Sequence, residues 1–345
     1  MNKKKIKISF FIFLLIFLAI MFFKDNNFQR NVKWDYLKIK NWGNKNWSQI
    51  DSVFENFSSQ EIQNAKININ NFQSGGVAKD DIPSLINPNF DSATSTDFSD
   101  NEKIIGVFWD GEARAYPYSI LYWHEIINDT IADKPIAVTL CPLCNTTSVF
   151  NRNLNGKTTS FGVSGKLFNS CLIMHDRQTD SLWSQVWGLG VMGEHKNYSL
   201  QKIISHNTTL GEWKKLHPDT LVLSTDTGHS RNYNKYPYGD YLTNDKLRFS
   251  ARNQSELKLF SKDVIYYIAI NNKEQNKQNT FEGESWAISK NKIKEEKEIS
   301  FTIKKQNYNL KWDSKLNTAK LYKSNNKEIS IQTAFAFVYP AYFNK

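Results

Sequence analysis

The stretch KIIGVFWDGEARAYP, residues 103–117, decides the fold class. Apolar and polar residues alternate around Asp110-Gly111, and a period of two puts successive side chains on opposite faces of a strand. A tight hairpin turn needs φ above zero at both central residues, which Asp-Gly supplies at low cost. The stretch therefore predicts two antiparallel strands. The next residues, YSILYWHEIIN (118–128), change to helical spacing, with Ile120, Leu121, His124 and Ile127 on one side. PIAVTL (135–140) then reads as a short buried strand with CPLC (141–144) at its carboxyl end.

The same alternation continues outward. TTSVFNR (146–152), a second hairpin dipeptide at Asn155-Gly156, KTTSFGVSG (157–165) and LIMHDR (172–177) predict strand, turn and strand. LGEWKKLH (210–217) predicts a short helix stopped by Pro218, followed by the strand LVLS (221–224). GHSRNYNKYPYGDY (228–241) is an aromatic, turn-rich loop. From about Phe249 the texture changes to Lys- and Asn-rich strands such as VIYYIAI (264–270) and ISFTIKK (299–305), which places a boundary there. NEKIIGVFWDGE resembles SKDVIYYIAINNKE, and TTSVFNRNLNGKTTSFG resembles ISFTIKKQNYNLKWDS, each pair about 155 residues apart. Either a degenerate repeat or the general likeness of hairpins accounts for this.

With 345 residues, core size does not limit the fold, and 10 Trp and 15 Tyr favour half-buried pleated surfaces. The 44 basic and 34 acidic residues give a net charge of +10. Lys3, Lys4, Lys5 and Lys7 supply four of that surplus, leaving roughly +6 for the rest. No basic block is interleaved with stacking aromatics, so no nucleic-acid partner is expected.

Ile8 to Phe23 (ISFFIFLLIFLAIMFF) carries no charge and would rise about 24 Å as a helix, against a hydrocarbon core of roughly 30 Å. Flanking lysines can snorkel over the difference. A cleaved signal peptide would want small residues at its processing site, whereas Ala19 is followed by Ile20, Met21, Phe22 and Phe23. The segment is therefore expected to anchor the chain in the cell membrane through residues 8–23, lysines inside and residues 25–345 on the extracytoplasmic side. Residues 25–74, rich in Asn, Lys and Ser, read as a spacer with one amphipathic helix near Gln49 to Ala65.

Cys141, Cys144 and Cys171 are the chain's only cysteines, too few for a disulfide-stapled scaffold. Two thiols at i and i+3 in CPLC can chelate one soft metal ion or close a small disulfide ring, and Pro142 narrows the turn. His124 is expected to fold back over the strand end, its imidazole within about 4 Å of a thiol, which is close enough to tighten onto a metal. In NSCLIMHDR, alternation sets Cys171, Ile173 and His175 on one face and Leu172, Met174 and Asp176 on the other. His124, Cys141, Cys144 and Met174 would together suit copper, although His124 as a core histidine and Met174 as core filler are the plainer readings. Asp176, Arg177, Arg231, Tyr233 and Tyr238 form a second polar set, able to hold an anionic or sugar-like ligand or to act as a structural ion pair among tyrosines. No nucleophile elbow, P-loop or dinucleotide fingerprint occurs.

GGVAKDDIPSLINPNF (75–90), GVFWDGEARAYPYSILYWHEIINDT, PIAVTLCPLCNTTSVFNR, FGVSGKLFNSCLIMHDRQTDSLWSQ and TGHSRNYNKYPYGDY together resemble the prokaryotic domain-of-unknown-function family numbered 3179. The likeness runs from about Gly75 to Tyr241, and TAFAFVYPAYF (333–343) is similar to the family's closing motif. Its motifs include His124, Cys141, Cys144, Met174, Asp176, Arg177, Trp183, Arg231, Tyr233, Pro237 and Tyr238. Cys171 departs from them, since the family more usually has Asp or Asn there, so Cys171 is expected to face away from the site. Members are often exported or lipid-anchored; the resemblance implies membership and no particular reaction.

The sequence thus predicts a β-rich α+β body, mainly antiparallel with a few short helices, behind one N-terminal transmembrane helix. Its divisions are 1–24 (basic tip and signal anchor), 25–74 (spacer), 75–248 (main domain) and 249–345 (C-terminal β-rich region). Three functions stay open: soft-metal binding, with copper as the metal, through His124, Cys141 and Cys144; a non-catalytic cell-surface or ligand-binding module with a structural CPLC; and a thiol-disulfide redox protein.

Overall fold

The computed structural model describes residues 53–272 and 276–343. These open with a five-residue helix, α1 (Ser59–Gln63), started by a reciprocal Ser58–Glu61 capping box. Asp110 and Gly111 both take positive φ, 44° and 85°, and turn the chain between β1 (Lys103–Trp109) and β2 (Glu112–Pro117). Helix α2 (Tyr118–His124) follows, then a meander of β3 (Ile126–Ile131), β4 (Lys134–Cys141) and β5 (Thr146–Asn151). The helix is shorter than its periodicity predicts. Glu125 takes a left-handed φ of 58°, which ends the helix and releases Ile126 to Asn128 into β3.

Next comes a small sheet of β6 (Phe161–Phe168), β7 (Cys171–Asp176), β8 (Leu182–Ser184) and β9 (Leu189–Met192). β10 (His206–Thr209) returns to pair with β1 and runs into α3 (Leu210–Leu216), capped by Thr209; β11 (Leu221–Leu223) follows. Trp213 of α3 lies flat on β1 because position 106 is glycine: a Cβ there would sit 2.6 Å from the indole. The rest comprises β12 (Val264–Asn271), β13 (Gly283–Ser289), α4 (Lys290–Glu296), β14 (Glu298–Ile303), β15 (Gln306–Asp313), β16 (Thr318–Lys323), β17 (Gln332–Phe335) and α5 (Val338–Phe343).

Pairing is antiparallel throughout these sheets except where β11 joins β2 and where the short strand Leu85–Ile86 joins β3. The seven-stranded sheet runs β13-β12-β17-β5-β4-β3 and ends on that short strand. Residues beyond 249, set apart by their texture, thus share a sheet with the CPLC-bearing strand, and all described residues fall within one unit. Among the described residues no helix is long and apolar enough to cross a membrane. The apolar Ile8 to Phe23 segment lies outside the described residues.

The chain repeats itself. Tyr118–His124, Ile126–Ile131, Lys134–Cys141 and Thr146–Asn151 recur, element for element, as Lys290–Glu296, Glu298–Ile303, Gln306–Asp313 and Thr318–Lys323. Left-handed residues recur too: Glu125, Ala132, Asp133 and Asn145 match Lys297, Lys304, Lys305 and Asn317. So do the bonds that seat the helix ends, Leu140 N to Glu125 O at 2.9 Å and Trp312 N to Lys297 O at 2.7 Å. The register differs from the one suggested by sequence. TTSVFN forms β5, whose counterpart is β16, whereas ISFTI lies in β14, the counterpart of β3.

Each repeat wraps its helix in its own apolar core. Leu121, Val138 and Val149 fill one; Ile293, Leu310 and Leu321, at the matching places, fill the other. A seven-residue helix is unstable alone, so this burial, about 1.5–3 kcal/mol per side chain, is what holds α2 and α4. The repeats also clasp each other. β17 pairs with β12 of the second repeat and meets β5 of the first at Thr333 and Thr147, while β10 pairs with β1 and Thr208 donates to Leu316 O beside β16.

Candidate functional site: a buried thiol cluster beneath an aromatic loop

The turn at the end of β4 carries Cys141 and Cys144, and Asn145 with φ 49° sends the chain back into β5. Phe335 N donates to Cys144 O at 2.7 Å and ties the turn to the end of β17. Cys141, Cys144 and Cys171 are all free and at most 1% exposed. Cys144 donates to Thr146 Oγ1 at 3.1 Å and lies close enough to both Cys141 and Cys171 for their thiols to influence one another electrostatically. Burial, first of all, pushes all three thiols up, so they are protonated at neutral pH.

The aromatic loop closes over this turn. Tyr241 donates to Leu143 O at 2.7 Å and Tyr236 to Pro142 O at 3.3 Å. Tyr238 donates to Glu125 Oε1 at 3.0 Å. Glu125 is buried, and desolvation raises its carboxyl to about 7 although the Tyr238 bond acts the other way. Its charge reaches Cys141. The left-handed backbone that ends α2 thus also turns a carboxyl inward beside the thiols, a position that sequence reasoning missed. A helix ending at a non-glycine residue between His124 and Ile126 is a weak signal, because Glu rarely adopts positive φ.

His124 serves elsewhere. Its Nδ1 lies 2.7 Å from Pro83 O, so Nδ1 carries the proton, and Nε2 accepts from Tyr233 Oη at 2.7 Å. Tyr233 in turn meets Thr227 Oγ1 at 2.5 Å. Burial pulls the imidazole down to about 3, so it stays neutral and pins three chain segments together. With both nitrogens engaged, neither faces a thiol, and among the described residues no group of three or more His, Cys, Asp or Glu is arranged to hold a metal ion. The expected His124-Cys141-Cys144 copper site is therefore not assembled. The expectation about Cys171 also reverses, since it faces Cys144. Because Cys171 and Met174 lie on opposite faces of β7, Met174 points away from the thiols, buried in register with Trp183.

The second polar set divides. Tyr233 and Tyr238 meet α2 and Glu125, and Arg231 lies over the Trp123 ring at 5.8 Å. Asp176 is fully buried, accepts from Trp183 Nε1 at 2.9 Å and from Thr179, and lies 3.4 Å from His195 Nδ1. Arg177 pairs with Asp80 at 2.7 Å, where His175 Nε2 also arrives at 3.1 Å. Burial would raise the Asp80 carboxyl, but His175 and Arg177 outweigh it and hold it low. Gly162 makes room for that trio, because a Cβ would lie 2.4 Å from both Asp80 Oδ1 and His175 Nε2.

Fold and site together define a β-rich, mostly antiparallel α+β protein with an internal repeat and a closed dithiol turn in its first half. The chain belongs to the family described as protein of unknown function (DUF3179), whose model matches residues 79–344. That match reaches well past Tyr241, across the second repeat. No curated protein and no solved structure matches the chain.

Proposed function

We propose that this is a thiol-disulfide protein held on the extracytoplasmic side of the cell membrane, with Cys141 and Cys144 as its dithiol and Glu125 as the group that takes the thiol proton. The observation that carries the reading is the placing of Glu125, whose backbone carbonyl is bonded to Leu140 N at 2.9 Å, next to Cys141. Its buried carboxyl, raised by desolvation and bonded among the described residues only to Tyr238 at 3.0 Å, is placed to take a proton from a thiol that burial keeps protonated. The Cys141 thiolate attacks a partner disulfide, protein or low-molecular-weight, and expels one sulfur as a thiol. Cys144 then displaces the second. Two electrons and two protons leave the dithiol and the partner is released as two thiols. Reaction requires Tyr236 and Tyr241 to lift from Pro142 O and Leu143 O.

Thiol burial favours a second reading, in which the turn is a packing device of a non-catalytic module. Equilibrating the full chain in glutathione buffers, trapping with an alkylating agent and reading masses separates the two. A reversible Cys141–Cys144 disulfide is expected, with oxidation at pH 7 slowed about 100-fold in the E125Q variant. Thiols that stay reduced until the protein unfolds would leave only the packing role.

Placement rests on the lysine-flanked apolar segment 8–23. A C-terminal fusion to a reporter active only outside the cytoplasm is expected to be active. Activity of a cytoplasm-only reporter at that position would refute it.

A further inference from the structure

The two repeats face each other across a cleft of about 130 Å³. Tyr118 and Lys290, the first residues of α2 and α4, line it from matching positions, and so do Asn145 and Asn317, from the matching left-handed turns. Repetition has therefore brought two copies of one turn to a single cavity. The chemistry of the two copies differs at the helix starts, where a tyrosine in the first repeat is a lysine in the second.

Lys290 is half-buried, and burial first, then the charges of Lys103 and Lys294, lower its ammonium. Lys103, at the start of β1, lines the same cleft. Among the described residues neither Lys103 nor Lys290 has a carboxylate within ion-pair distance. Glu102, next along the chain, accepts from Ser119 N at 3.0 Å instead. Lys290 rests near the Trp312 ring, its Nζ 5.7 Å from the centroid. The other side chains of the cleft are committed differently. Asn207 donates to Thr147 and Thr333 and accepts from Tyr118, whereas the Asn145 and Asn317 amides make no hydrogen bond among the described residues.

Two ammonium groups that repel each other, and two amides with no protein partner among the described residues, line this one cleft, and an anion seated there would relieve that repulsion. We propose that this cleft is an oxyanion site, taking phosphate, either free or as the headgroup of a small phosphate monoester. Lys103 and Lys290 supply charge, and Asn145 and Asn317 supply donors from opposite sides. The site stands apart from the thiol reading, because it uses neither the cysteines nor Glu125.

Titration calorimetry on the full chain tests it, with inorganic phosphate in one arm and glycerol phosphate in the other, at low ionic strength. Binding with Kd below about 1 mM is expected in at least one arm. Binding in both arms identifies the phosphoryl group as the ligand, and binding only of the ester shows that the headgroup's attachment is read as well. The Lys103→Met, Lys290→Met double variant should weaken binding at least tenfold. Asn317→Asp should do the same, since Asp tolerates the left-handed turn and adds a repelling charge. The second variant keeps the test decisive if the first fails to fold. Absence of heat in both arms, or undiminished binding by a folded variant, would overturn the proposal.

Discussion

Replacing Glu125 with Gln is expected to remove a loss of stability that the native protein suffers as pH rises from about 4.5 to about 7. The folded-state carboxyl is raised to about 7 from its ordinary 4.5 by desolvation, so folding holds the proton more tightly than the unfolded chain does. For a raised carboxyl the stability is fully present below the unfolded value and is lost as pH climbs through the folded one. The window is therefore 4.5 to 7, and the size is on the order of 3 kcal/mol. Gln keeps an acceptor for Tyr238 and does not titrate. His124, pulled down to about 3, and His206, pulled down to about 4, act with the opposite sign: their contribution is complete above 6.5 and fades as pH falls. Native and E125Q proteins should thus weaken together in acid and diverge above pH 5. Urea unfolding at pH 5 and pH 8 measures this directly, and parallel stability curves across that range would show that Glu125 is ionised and solvated in the folded state.

Arg152→Ala is expected to cost about 3–5 kcal/mol, the largest stability effect of any single polar side chain considered. The guanidinium is buried at the edge of the first repeat and donates to three backbone carbonyls: Ile136 O at 2.9 Å, Asp129 O at 2.9 Å, and Thr159 O. It therefore joins β3, β4 and the connection into β6. The Asp129 side chain does not serve it, being taken by Arg114 at 2.6 Å and Tyr116 at 2.7 Å. Truncation removes three buried charge-assisted hydrogen bonds at once, and water cannot follow into a closed strand edge without loosening it. A melting temperature lower by roughly 10 °C is expected by scanning calorimetry. A loss below about 1 kcal/mol would mean that the carbonyls find other donors.

Local rules made much of the fold legible. The turn dipeptides Asp110-Gly111 and Asn155-Gly156 both adopt positive φ, and Thr209 caps the helix expected at LGEWKKLH. Strand alternation in NSCLIMHDR separated Cys171 from Met174 as found, but it carried no information about which face meets CPLC. The repeat was visible as a likeness of hairpins and was placed out of register. Its true register is carried by helix ends and left-handed residues, and these survive changes such as Glu125 to Lys297 and Cys141 to Asp313, which alter the chemistry and leave the backbone path.

Periods of two and of 3.6, turn dipeptides and caps act within a few residues, so the sequence alone determined the β-rich antiparallel class, most element positions and the pairing of Cys141 with Cys144 in one turn. Where those elements meet depends on which apolar faces bury each other over long separations, and only the tertiary structure decided that. It seated His124 on Pro83 and Tyr233 instead of on sulfur, brought Cys171 to Cys144, and turned Glu125 inward under Tyr238, because the aromatic loop and α2 share one buried surface.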